Sequence, residues 1–207
     1  MSPLLPETTR QTLETSAREA ADLYRRMPEV FSQVVAIAEA CVRALRSGGK
    51  ILFCGNGGSA AESQHLATEF VVRLSALRDR PALAALSLTT DTSLLTACAN
   101  DYGFDLVFAR QVEAHLRAGD VLILLSTSGK SPNLIAAAKA AKARGGITAA
   151  FLGEKPSALN SLTDLALHIP ASSPQRVQEG HLWAGHMLVE LVEQMLFDET
   201  NGGGARA

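Results

Sequence analysis

Hydrophobic positions recur along this chain with more than one period, and each change of period marks an element. Leu13, Ala17, Ala20 and Tyr24 fall at helical spacing, and Val30, Val34, Ile37 and Cys41 do so again. Pro28 separates the two stretches and Gly48-Gly49 closes the second, so residues 1–49 read as an N-terminal helical hairpin. Short apolar runs follow at 51–54, 83–88, 121–125, 147–152 and 165–169, continuous in the manner of strands buried on both faces. Helical stretches lie between them, near 59–77, 91–99, 106–116 and 132–143, and a last long helix covers about 175–197. Strands alternating with helices imply right-handed crossovers and a five-stranded parallel sheet within one α/β domain, residues 50–200. Crossover helices cover such a sheet, so the hairpin's apolar face calls for another partner, for which a neighbouring subunit is the expectation. Residues 201–207 are Gly-rich without apolar anchors and read as a disordered tail.

Composition narrows the class. A chain of 207 residues, 47% hydrophobic but only 5% aromatic, fills a single core mainly with alanine and leucine. With 19 basic against 21 acidic residues the net charge is −2, which draws the protein to neither nucleic acid nor anionic lipid. No apolar run approaches the roughly 20 residues that span a bilayer. Residues 1–10 lack the basic-then-apolar pattern of a secretory leader. Cys41, Cys54 and Cys98 are odd in number and scattered, as buried free thiols of a reducing compartment are; cytoplasm is the expectation.

Two loops at strand ends carry unusual chemistry. Gly55-Asn56-Gly57-Gly58-Ser59 follows the first strand and runs into a helix, with Ser59 and Glu62 forming an S-x-x-E capping box. Its glycines let backbone approach a ligand, and the helix start offers free N–H groups. After the third strand comes Ser126-Thr127-Ser128-Gly129-Lys130-Ser131-Pro132, where Ser131 reads as N-cap and Pro132 as first helical residue. Capping needs one hydroxyl; three more suit the acceptor oxygens of a phosphate. The first loop also fits G-x-G-x-x-[G/A], the dinucleotide fingerprint. That reading needs an acid roughly 20 residues on, at the second strand's end. The first acid beyond that strand is Asp91, too far along and set as a helix N-cap between Thr90 and Thr92.

His65 and Glu69 stand four apart on the helix leaving the glycine loop, hence on one face, able to share a metal or a proton or to form an ordinary surface pair. The last helix carries Gln178, Glu179, His181 and His186 among Leu182, Trp183, Met187, Leu188, Leu191 and Val192. Sequence spacing does not say whether these face His65.

Three stretches together, GNGGSAAESQHLATEF from Gly55, STSGKSPN from Ser126 and RVQEGHLWAGH from Arg176, resemble the sugar isomerase (SIS) domain and, within it, the phosphoheptose isomerase family. The similarity covers nearly the whole chain. It implies one SIS domain with a flavodoxin-like or Rossmann-like sheet, acting on sedoheptulose 7-phosphate to give D-glycero-D-manno-heptose 7-phosphate through an enediol. It implies substrate contacts at Asn56, Gly57, Gly58, Ser59, Glu69, Arg73, Thr90, Asp91, Ser126, Thr127, Ser128, Ser131 and Gln178. It further implies zinc ligation by His65, Glu69, Gln178 and His186, catalysis by Glu69 and His186, and a homotetramer with sites near subunit boundaries. Gln175 departs from relatives that carry an acid there. A non-catalytic SIS protein binding the bacterial replication initiator, or an isomerase of another phosphosugar, are the alternatives; the presence of both Glu69 and His186 favours an enzyme.

Overall fold

The computed structural model describes residues 6–198; the tail 201–207 lies outside them. Five strands, β1 (Ile51–Gly55), β2 (Ala85–Ser87), β3 (Val121–Ser126), β4 (Ile147–Leu152) and β5 (Leu165–His168), form one parallel sheet in the order β2-β1-β3-β4-β5. The expected α/β architecture is therefore the one observed, with the flavodoxin-like strand order. Eight α-helices accompany it among the described residues: α1 (Glu7–Arg26), α2 (Phe31–Arg46), α3 (Gly58–Val71), α4 (Thr92–Tyr102), α5 (Ala109–His115), α6 (Pro132–Ala143), α7 (Ala158–Leu162) and α8 (Pro174–Phe197).

Topology explains how the faces are covered. The β1-to-β2 crossover moves one way along the sheet and the later crossovers move the other way. Right-handedness then puts α3 on one face and the intervening helices on the opposite one. Leu52, Cys54, Leu122, Leu124 and Ala150 face α5, α6 and α7. Ile51, Phe53, Val121, Ile123 and Phe151 face the other side, where α3 alone would leave them half covered; α2 and α8 complete that layer. The expected hairpin standing off the sheet is thus corrected. Val30, Val34, Ile37 and Cys41 are all buried within this chain because the sheet needs α2. Nor do α1 and α2 form a packed hairpin: a 3-10 turn, Met27–Val30, joins them, and α1 packs chiefly on that turn and on α8. The α1 stripe read from the sequence is also displaced, since Leu13 and Tyr24 are exposed while Leu23 is buried.

Two element ends differ from expectation. Helix α3 stops at Val71 rather than near 77, and β2 shrinks to a three-residue edge strand. All three cysteines are free and buried, as expected. No helix among the described residues is long and apolar enough to cross a membrane.

Candidate active site

Strand order reverses between β1 and β3, so a crevice opens beyond their carboxyl ends, where parallel sheets of this kind bind ligands. Both loops singled out in the sequence meet there. Asn56 and Asn133 exchange reciprocal amide hydrogen bonds across the crevice, at 2.9 and 2.8 Å. The Asn56 side chain is therefore already engaged in bracing the two loops. Asn133 is buried beside it, and no local sequence signal marked it. Gly57 has φ +57, a left-handed conformation that favours glycine, and it occupies the N-cap of α3. The Ser59–Glu62 capping box is thus corrected: the turn at Gly57 starts the helix at Gly58, leaving Ser59 inside it and buried.

In the second loop Ser131 is the N-cap of α6, with Pro132 after it, yet its side chain makes no capping hydrogen bond. Ser126 Oγ accepts from Gly129 N at 3.0 Å, and Ser128 Oγ lies 3.4 Å from Lys130 N. Thr127 lines a groove of about 300 Å³ with Ser128, Lys130, Gly153 and Lys155. Asp91 caps α4 by accepting from Leu94 N at 2.9 Å, and Thr90 Oγ1 donates to Ser87 O. No acid stands at the end of β2, which removes the dinucleotide reading.

Helices α3 and α8 run side by side and parallel. A Cβ on Gly58 would lie 2.5 Å from Gln178 Nε2, and one on Gly185 would lie 2.4 Å from Leu66 Cδ2, so glycine on each helix permits the approach. That approach brings His65 Nε2 to 2.8 Å from His186 Nε2, with Glu69 Oε1 3.5 Å from His65 Nε2. Burial, then the charge of His65, hold His186 below its ordinary value, opposed by the Glu69 carboxylate. Two ring nitrogens at this distance share one proton or direct both lone pairs at a cation. The donors His65, Glu69 and His186 therefore fit a divalent ion in chemistry. Gln178 packs over Gly58, eight residues and about 12 Å up the helix from His186. No group of three or more His, Cys, Asp or Glu among the described residues forms a finished metal cage. Arg73 is exposed beyond the end of α3.

A second polar pair lies in the same helix layer. Glu62 Oε2 is 3.9 Å from His181 Nδ1, and neither atom has a hydrogen-bond partner. His181 is fully buried against Phe151. Burial raises the Glu62 carboxyl to about 7 despite a hydrogen bond from Ser59. It lowers His181 to about 4, tempered by the nearby Leu152 carbonyl.

The SIS domain pattern matches residues 17–153. Phosphoheptose isomerase of Burkholderia pseudomallei (strain 1710b) is 49% identical over 168 residues, covering 81% of this chain and 84% of the relative. The chain belongs to the phosphoheptose isomerase family. A relative of that name from Roseiflexus sp. (strain RS-1) is 50% identical, covering 86% of this chain and 90% of its own. Among solved structures, phosphoheptose isomerase GmhA from Neisseria gonorrhoeae superposes with a TM-score of 0.83 at 38% identity, covering 90% of this chain and 99% of that one. This family member is accordingly an isomerase on the SIS fold.

Proposed function

We propose that the chain converts sedoheptulose 7-phosphate to D-glycero-D-manno-heptose 7-phosphate through an enediol, with Glu69 and His186 as the acid/base pair. One observation carries this reading. A carboxylate and two imidazoles converge from α3 and α8, whose first turns flank the glycine loop. His65 lies seven residues, about 10 Å, down α3 from Gly58. The carbon chain between a C2 carbonyl and a C7 phosphate suits that gap.

In this reading the Thr127 and Ser131 hydroxyls and the N–H groups at the start of α6 hold the phosphate. Glu69 removes the C1 proton and returns it to C2. His186 carries a proton from the C1 hydroxyl to the C2 oxygen. With its pKa held down, His186 is neutral near pH 7 and ready to accept that proton. His65, Glu69 and His186 would hold a zinc ion; Gln178, expected as a fourth ligand, lies too far up α8 to join them within one chain. When bound, the ion polarises the carbonyl and stabilises enediolate charge. The other side chains then orient the sugar: Asn56 through its brace, Thr90 and Asp91 from the crevice rim, and Arg73 from beyond α3; the Ser59 side chain, buried within α3, does not reach the rim.

An apolar groove of about 310 Å³ between α2 and α8, lined by Phe31, Val35, Trp183, Met187 and Leu191, supports homo-oligomer formation. Phe31 stacks on Trp183 yet stays 50% exposed, a face that a second copy covers in the expected tetramer. Light scattering of the purified chain checks the assembly, and a monomer refutes it. The catalytic reading is tested by NMR of sedoheptulose 7-phosphate incubated with the protein. In deuterium oxide the expected result is the isomeric aldose carrying one solvent deuteron at C2. An unchanged ketose spectrum defeats the reading.

A further inference from the structure

Helix α3 ends without a cap of its own. Val71 and Val72 close it, no basic residue lies in its last turn, and no glycine follows to turn the chain. Its last carbonyls need partners from outside the helix. Leu83 N donates to Phe70 O at 3.1 Å, and a side chain supplies further donors, including the one that Glu69 O receives from beyond the helix. Arg80 Nη2 donates to Glu69 O at 2.8 Å, and Arg80 Nη1 donates to Phe70 O at 2.7 Å and to Pro81 O at 3.1 Å. The same guanidinium meets the Glu193 carboxylate on α8 at 2.8 Å. Arg80 and Glu193 side chains are only 1% and 3% exposed. Glu193 follows His186 by seven residues, two turns down the same helix face.

We propose that Arg80, clamped by Glu193, is a positioning residue that sets the separation of Glu69 and His186. This rests on the acid/base assignment above. One guanidinium grips the peptide of the base and the helix that carries the acid. A glycine would have finished α3, and an apolar pair would have filled the same volume without the desolvation cost of two charges. What neither substitute does is fix one helix against the other through several directed bonds, which the planar fork of arginine does. Misplacing a reacting group by about 1 Å costs up to about a hundredfold in rate.

The test separates placement from stability. Arg80→Lys keeps the charge and loses the fork; kcat is expected to fall about tenfold with KM within about threefold. Arg80→Met/Glu193→Leu replaces the buried pair with apolar volume and so guards against simple unfolding. It is expected to keep its thermal midpoint and lose kcat likewise. In a Glu69→Asp background, where the carboxylate is already displaced, Arg80→Lys is expected to cost well under half as much on a logarithmic scale. Full kcat in Arg80→Met/Glu193→Leu, or losses that simply multiply in the Glu69→Asp background, overturns the clamp while leaving the isomerase reading standing. Absence of turnover by the unaltered chain overturns that reading and the positioning role with it.

Discussion

Two buried carboxyl groups, Asp120 at the amino end of the sheet and Glu62 in the α3–α8 layer, are treated in opposite ways by this fold. Asp120 is 1% exposed and saturated: it accepts from Lys50 N at 2.9 Å, Arg117 N at 2.8 Å and Lys50 Nζ at 2.5 Å. Gly49 leaves room for it, since a Cβ there would lie 2.9 Å from Asp120 Oδ1. Glu62, 12% exposed, has one oxygen with no partner and faces an imidazole with none. A buried charge with a full set of donors ties strands and loops together, whereas a carboxyl without them is held as the neutral acid and costs stability when it ionises. The contrast assigns stability to one end of the molecule and chemistry to the other, beside the helices that carry His65, Glu69 and His186.

The sharpest test of that division removes the chemistry alone. Glu69→Gln and His186→Ala are each expected to lower kcat by about a thousandfold while thermal unfolding stays close to that of the parent chain. Near-parental turnover in either variant breaks the assignment. Asp120→Ala is expected to do the reverse. Leaving Lys50 without its partner costs about 3–5 kcal/mol, read from urea unfolding, with activity per folded molecule unchanged.

How far the sequence reveals this division depends on the range of the interactions involved. Continuous apolar runs mark all five strands; for β1, β3 and β4 they reflect burial on both faces, whereas at the edge strands β2 and β5 the faces are only partly covered. The glycine loop, the Ser131-Pro132 helix start and Asp91 as a cap were legible because each is settled within a few residues. Ser59 was not, since the left-handed turn at Gly57 starts the helix before the capping box would. The end of α3 is not legible for a longer-range reason: its carbonyls are met by Arg80 and Leu83 N, on a segment that carries no helical signal. The burial of α2 followed from strand order, which hydrophobic spacing does not encode. Glu62, Asn133, Arg80 and Glu193 acquire meaning only from partners far along the chain.

Titration sharpens the comparison further. The folded-state value of Glu62, about 7, lies above its ordinary 4.5, so folding favours the neutral acid. Its contribution to stability is complete below about pH 4.5 and is lost as pH rises through about 7. His181 has the opposite sign: lowered from 6.5 to about 4, it contributes fully above 6.5 and loses that contribution as pH falls through about 4. Between these limits the pair holds one proton, on the carboxyl. The parent chain is therefore expected to lose up to about 3 kcal/mol between pH 5 and pH 8.5 through this group. Glu62→Gln, already neutral, is expected to lose little over the same range in denaturant unfolding. Parallel pH profiles for the two proteins show that Glu62 is ionised in the fold after all.

The smallest effect probes a pair that belongs to neither class. Asn56 and Asn133 are paired with each other, as Asp120 is with its donors, but they sit in the crevice between the glycine and hydroxyl loops. If satisfaction marks structure and nothing else, Asn133→Ala changes stability only, by about 1 kcal/mol for the lost bonds. The brace also holds the glycine loop against the hydroxyl loop, and in the proposed function both loops contact the substrate before and after the proton moves. Loosening it weakens ground state and transition state alike, which appears as a severalfold rise in KM with kcat held. Steady-state kinetics on Asn133→Ala distinguish the outcomes. A raised KM extends function to a satisfied pair, so that in this fold it is position at the carboxyl ends of β1 and β3, more than an unmet hydrogen bond, that separates working polar groups from merely stabilising ones.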